Sequence, residues 1–265
     1  MTKPLLYLVF LLTLLNGSCK KREPEPVLQE LGCLIKAETL NGHPYRSYEY
    51  DSQKRLYRLL QYKMDATRTP EKRFTFEYDR EGKISIFRET ALAAPFRHFQ
   101  YELAYDSQGR LATIAKSEIL NSGPKPVQEY RLEYDEKGRV ARYTWDNTAW
   151  RYVYDEDNNI SKWYVRVPAL PLEIALAEYS NYDGKANLYG NSQAAQLINL
   201  VIGGGISRQN PGSFKFYAPD GTVAQSGVVT YQYNEFDLPT EASVSLFSRS
   251  NAATTQVYGF EYDCL

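Results

Sequence analysis

Five-residue stretches in which every second position is apolar recur along the chain, and each runs into Tyr-Asp or a near copy of it. Two positions before the tyrosine stand Tyr48, Phe76, Leu103, Leu132, Tyr152, Tyr231 and Phe260. Four before it stand Phe74, Tyr101, Tyr130, Trp150, Val229 and Tyr258, with Arg46 as the polar exception. The positions between them carry Glu49, Thr75, Glu77, Glu102, Arg131, Glu133 and Glu261. A period of two buries one face of a strand and wets the other, whereas a helix needs an apolar stripe about every 3.6 residues. These segments predict half-buried β-strands.

The segment after each tyrosine predicts the return. Tyr-Asp-x-x-Gly-basic-aliphatic appears at 50–56 (YDSQKRL), 78–84 (YDREGKI), 105–111 (YDSQGRL) and 134–140 (YDEKGRV). Looser copies follow at 154–160, 182–188 and 233–239, and the chain closes on YDC at 262–264. Tyr50, Tyr78, Tyr105, Tyr134, Tyr154 and Tyr182 are spaced by 28, 27, 29, 20 and 28 residues, room for one strand–turn–strand unit each. Asp51, Asp79, Asp106, Asp135 and Asp155 stand where a carboxylate accepts hydrogen bonds from backbone N–H groups two residues on. Gly82, Gly109 and Gly138 fall where a type I turn with a bulge requires positive φ. Asn158 holds that place in the fifth copy, and Lys54, in the first, is expected to be strained there.

Residues 167–212 break the rhythm. Ala194, Leu197, Ile198 and Val201 share one face of a helix through AAQLINLVI, which Asn191 or Ser192 would cap and Gly203–Gly205 would end. A second short helix is expected at Leu172–Glu178, after Pro171. The helical segment is expected to cover an end or face of the sheet; the sharper alternative is a lid over an apolar cavity.

Composition adds little electrostatics and much aromatic surface. The 265 residues hold 31 Lys+Arg against 32 Asp+Glu, which argues against nucleic acid as a partner. They include 23 Tyr, 11 Phe and 3 Trp but only two His and two Met, leaving little material for a histidine-based catalyst or metal site.

The first residues read as an address. Lys3 precedes an apolar run from Leu5 to Leu15, too short to cross about 30 Å of bilayer as a helix and suited to a signal segment. Gly17-Ser18-Cys19 then resembles a lipobox, with Asn16 departing from the usual leucine, so that Cys19 would be acylated and become the first residue of the mature chain. The expected organisation is a signal peptide over 1–18, a lipid-attached linker over 19–30, and one β-rich domain over 31–265 with a helical insertion at 167–212. Cys33 and Cys264 remain, at opposite ends of that domain, in a compartment that permits a disulfide.

The hairpins resemble the YD (Rhs-type) repeat family over roughly 45–165 and 214–263. As a whole the chain is similar to a family of bacterial lipoproteins that share a lipobox, a cysteine in the first strand, YD hairpins, a segment like Tyr182–Gly190 with Ile206–Pro211, and a closing YDC. The resemblance implies a lipid-anchored envelope location at the outer membrane and a β-sheet shell; it implies no activity.

Gly203–Gly205 follows a helix and lacks the GK[ST] of a phosphate loop. Asp155, Asp157 and Asn159 begin like a calcium loop, but Ile160 and Arg166 occupy its glycine and glutamate positions. Carboxylates for glycoside hydrolysis are plentiful, yet the repeated ones lie at turns and on wet faces, where they stay ionised. The expected architecture is all-β, an antiparallel meander of about fourteen to sixteen strands, curved or closed, with one or two short helices and a Cys33–Cys264 bond at the seam. The expected function is non-enzymatic, with no cofactor and no metal: an envelope lipoprotein, anchored to the membrane by its N-terminal lipid, that binds or scaffolds a glycan or protein. The alternatives are a carrier holding a lipid or other apolar molecule inside the curved sheet and, third, a glycoside-active enzyme. Bulky aromatics filling the interior would favour the first; an empty apolar volume would favour the carrier.

Overall fold

The computed structural model describes residues 33–65, 67–170, 172–189, 193–202, 207–248 and 253–264. Cys19, the signal and linker segments, Asn191, Ser192 and Gly203–Gly205 lie outside the described residues. The strands are β1 (Cys33–Leu40), β2 (His43–Tyr50), β3 (Leu56–Tyr62), β4 (Pro70–Tyr78), β5 (Ile84–Ala91), β6 (His98–Tyr105), β7 (Leu111–Leu120) and β8 (Gly123–Tyr134). They continue as β9 (Val140–Trp145), β10 (Thr148–Tyr154), β11 (Ile160–Arg166), β12 (Ile174–Ala186), β13 (Gln209–Tyr217), β14 (Val223–Tyr233), β15 (Pro239–Ser248) and β16 (Ala253–Cys264); helix α1 (Gln193–Ile202) lies between β12 and β13. Each strand pairs antiparallel with its sequence neighbours, and β1 pairs with β16, so the meander closes into a barrel.

Closure removes the two edges that an open meander would expose. At the seam Cys33 is the register partner of Cys264, and the two form the expected disulfide, with Cα atoms 4.0 Å apart. The Tyr-Asp turns, α1, Cys33 and Cys264 all gather at one end of the barrel, here called the turn end, because every even strand up to β16 runs towards it.

The alternation read from the sequence sorts inside from outside. Phe74, Phe76, Phe87, Tyr101, Tyr143, Tyr152 and Trp163 form one core with Ile84, Ile114 and the inner face of α1. Rings stack across neighbouring strands: Phe87 on Tyr101 at 4.1 Å between centroids, Tyr130 on Tyr143 at 5.2 Å. The outer wall carries cross-strand ion pairs, Glu49 with Arg58, Glu77 with Arg88, and Arg151 with Glu173. Arg46, the polar exception on an inward position, lies buried with Glu38 at 3.8 Å, and Tyr48 donates to the same carboxylate.

Three expectations in the central segment are corrected. Leu172–Glu178 is not a helix: β12 begins at Ile174, and Ala177 sits fully buried between Trp163 and Phe216 on the flanking strands. The sheet needs a strand there to stay closed, and that requirement overrides a local helical preference. The copy at 182–188 makes no hairpin; β12 runs through Tyr182 and Asp183 to Ala186. The insertion is therefore narrower than 167–212, lying between Ala186 and Gln209, and the described part holds one helix.

Candidate functional site

Each Tyr-Asp turn is built by its aspartate. Asp106 Oδ1 accepts from the backbone N–H of Gln108 at 2.9 Å and of Arg110 at 2.9 Å, and Oδ2 from Arg110 Nε at 2.8 Å. Asp51 and Asp135 repeat all three bonds with their own turns, and Asp79 and Asp155 repeat the two backbone bonds. Bonds from the Arg110 backbone and guanidinium hold the Asp106 carboxyl below the usual range. Burial pushes Asp51 and Asp135 the other way, but the bonds from Arg55 and Arg139 outweigh it, and both are lowered. Lys54, Gly82, Gly109, Gly138 and Asn158 all have positive φ, so the first and fifth copies share the turn without its glycine. Asp155 thus serves its turn, and Asn159 beside it is buried and bonded to Gln209.

The tyrosines do something the sequence reading missed. The hydroxyl of Tyr78 donates to the carbonyl of Leu56 at 2.8 Å, Tyr105 to Ile84 at 2.7 Å, Tyr134 to Leu111 at 2.7 Å, and Tyr154 to Val140 at 2.8 Å. Each acceptor opens the return strand of the preceding hairpin, so every repeat is laced to the one before it. Tyr182 keeps this bond, to Ile160 at 2.6 Å, although its hairpin is gone; Tyr50 bonds Ile35 and Tyr262 bonds Pro239, on the strand pairs either side of the seam. The preceding turn's cation covers the ring: Arg55 over Tyr78, Arg110 over Tyr134 and Arg139 over Tyr154, at 4.5, 4.4 and 4.3 Å. The signal was present, since tyrosine never varies in the five strongest copies, but its partner opens the neighbouring strand, which belongs to the previous repeat. Burial pushes the phenols of Tyr78, Tyr105, Tyr134 and Tyr154 up to about 12.

Helix α1 lies across the turn end. Ala194, Leu197 and Ile198 are buried on the core, while Gln193 and Gln196 are exposed. The lid does not fill the end completely. Between α1 and the wall formed by β6 to β11 lies a cavity of about 490 Å³, within the range of small-molecule sites. Its apolar walls come from Leu103, Leu111, Leu132 and Val140 of the barrel and Leu197 and Leu200 of the lid. Its polar lining is Arg110, Arg139, Arg208, Asn158, Gln193, Gln196 and Ser207, and the guanidiniums of Arg110 and Arg139 are paired with the aspartates of their turns. A second cavity of about 300 Å³ lies on the other side of α1, beneath the disulfide, between Ile35, Tyr50, Leu56 and Ala194.

Tyr152 lines the first cavity with its hydroxyl buried and without a protein acceptor. Tyr143 Oη and Trp163 Nε1, on the strands flanking β10, are likewise buried without an acceptor among the described residues but do not line the cavity. Tyr152 stacks beside Trp163 at 6.0 Å between centroids, and Trp150 bridges Trp163 at 5.0 Å and Tyr143 at 5.5 Å. Tyr152, Trp163 and Tyr143 are exposed by only 5%, 6% and 1%. Of the site residues read from the sequence, the turn aspartates and glycines frame the rim, and Cys33 and Cys264 close the seam beside the second cavity; the cavity itself was not anticipated residue by residue.

Fold and site together define a closed antiparallel barrel of sixteen strands, capped at one end by a helix over a cavity of mixed lining. No protein-family model matches the chain, and no curated protein matches it. Among solved structures it is similar to a porin-like protein from Bacteroides uniformis, 12% identical with a TM-score of 0.55 over 88% of this chain and 98% of that one. Another neighbour is a porin-like protein from Bacteroides vulgatus, 12% identical with a TM-score of 0.41 over 87% of this chain and 99% of that one. The first likeness shows the barrel fold.

Proposed function

We propose that the protein is a non-enzymatic binding module of the cell envelope, anchored by a lipid on Cys19, in which the barrel is a rigid frame for the cavity under α1. The observation that carries this reading is the contrast between a barrel centre packed solid with aromatic rings and one end left hollow behind a helix. The described lining of that cavity offers no carboxylate, histidine or cysteine, which supports binding over catalysis. The outer wall supports a barrel that stands in water: a membrane-spanning barrel turns an apolar band about 25 Å tall outward, whereas here ion pairs occupy outward positions on β2 to β5 and on β10. Similarity to envelope lipoproteins in the lipobox-like Gly17-Ser18-Cys19 and in the closing YDC supports the anchor.

Membrane fractionation with labelled fatty acid tests it. Wild-type protein is expected to take up label and sediment with membranes, Cys19→Ala to do neither, and the purified barrel to give no conductance in planar bilayers. Label retained by Cys19→Ala, or stepwise channel currents, would overturn the reading.

A further inference from the structure

The outer wall changes character on one side of the barrel. On β2 to β5, charges on neighbouring strands pair, Glu49 with Arg58 and Glu77 with Arg88. Glu178 of β12 faces Lys162 on β11 and Lys215 on β13, yet among the described residues it forms an ion pair with neither and accepts from the Tyr217 hydroxyl at 2.6 Å. That row continues through Ser226 on β14 to Phe247 on β15. A second row, two residues along each strand, runs through Ser180, Ser213 and Val228. Both rows alternate with buried Ala177 and Gly227 and therefore face outward. Both line one cleft of about 260 Å³. A further cleft of about 510 Å³ shares Glu178 and Ser180 and reaches Ser161 and Lys162 on β11. The two make a trench across five strands, roughly 20 Å long at about 4.8 Å per strand, a spacing close to the length of one sugar unit.

The lining decides what fits. The three serine hydroxyls, the Asn181 amide, the Glu178 carboxylate and the Lys215 ammonium supply donors and acceptors together. Phe247 and Val228, exposed by 40% and 49%, add an apolar flank. A sugar ring matches both, with hydroxyls at its edge and carbon-bound hydrogens on its face. A polyanion fits poorly, because Asp155, Asp157 and Glu178 line the trench against Lys162 and Lys215. An extended peptide gains most by adding a strand to a sheet, and the closed barrel offers it no edge. We propose that this trench binds a neutral oligosaccharide lying across β11 to β15, with a ring face on Phe247 and its hydroxyls bonded to the serines, Glu178 and Lys215. It is a second site, independent of the cavity under α1.

Calorimetric titration of the lipid-free mature protein tests it with probes of matched length. These are maltohexaose, cellohexaose, laminarihexaose and mannohexaose as neutral sugars, hexagalacturonate as a polyanion, and a Gly-Ser hexapeptide. At least one neutral hexasaccharide is expected to bind saturably at millimolar concentration or below. Its disaccharide, which spans fewer strands, is expected to bind at least about tenfold more weakly. Phe247→Ala is expected to weaken the hexasaccharide about three- to tenfold, the worth of one ring contact. Phe236→Ala, which removes an equally exposed ring at the turn end, is expected to leave it unchanged. Ser226→Tyr, which sets a ring into the trench at a strand position that suits tyrosine, is expected to abolish binding while the melting temperature stays near wild type. Tightest binding of hexagalacturonate or of the peptide would overturn the proposal. So would wild-type affinity in Phe247→Ala or Ser226→Tyr, or no saturable binding by any of the four neutral sugars. Each of these outcomes leaves the reading of the cavity under α1 standing.

Discussion

The turn at Lys54 permits a stability change to be worked from backbone geometry alone. Lys54 has φ 61° and Gly82, its counterpart in the next repeat, φ 82°. The two turns are matched in their backbone bonds, although only Asp51 also pairs with its turn's cation, Arg55. Lys54 N–H donates to the Asp51 carbonyl at 2.9 Å and Gly82 N–H to that of Asp79 at 3.2 Å; each aspartate Oδ1 takes the same two backbone bonds. A side chain in the left-handed region costs about 1–2 kcal/mol, and glycine returns roughly 0.5–1 of that through its greater freedom in the unfolded chain. Lys54→Gly is therefore expected to stabilise by a few tenths to about 1 kcal/mol. Gly82→Lys is the mirror test. A Cβ there meets nothing within 4 Å, so its cost is conformational and should match the gain in size. Gly109 is a poorer choice, because its Cβ would lie 3.3 Å from Lys83 Nζ. Urea unfolding should show the midpoints moving in opposite directions at constant slope. A lower midpoint for Lys54→Gly, or an unmoved one for Gly82→Lys, would refute the claim that these turns share one strained position.

Two further expectations concern the whole barrel. Reducing Cys33–Cys264, or replacing both by serine, releases a loop of 231 residues; the chain-entropy argument assigns it roughly 5 kcal/mol as an upper figure, so identical thermal midpoints with and without reductant would remove the disulfide's role at the seam. The laced tyrosines predict alkaline unfolding. Tyr78, Tyr105, Tyr134 and Tyr154 have folded values near 12 against about 10 unfolded, so their contribution is complete below pH about 10 and is lost as pH rises through about 12. Tyrosinate absorbance should rise together with loss of structure; ionisation well before unfolding would show that these hydroxyls are open to solvent.

Much of this molecule was legible in one dimension because its repeats are local. The alternation before each tyrosine, the aspartate that closes each turn and the positive φ after it depend on fewer than ten neighbouring residues, and the strands, turns and inward faces follow from them. Closure of the meander was legible too, since unpaired edges are costly and two cysteines stood at its ends. Tertiary structure decided what repeats could not specify. Leu172–Glu178 became strand because the ring had a gap to fill, and Tyr182 kept its hydroxyl bond while giving up its hairpin. The tyrosine lacing and the hollow under α1 both join residues from different repeats. Their distances are set by the curvature of the closed sheet, a property of sixteen strands together that no single repeat encodes.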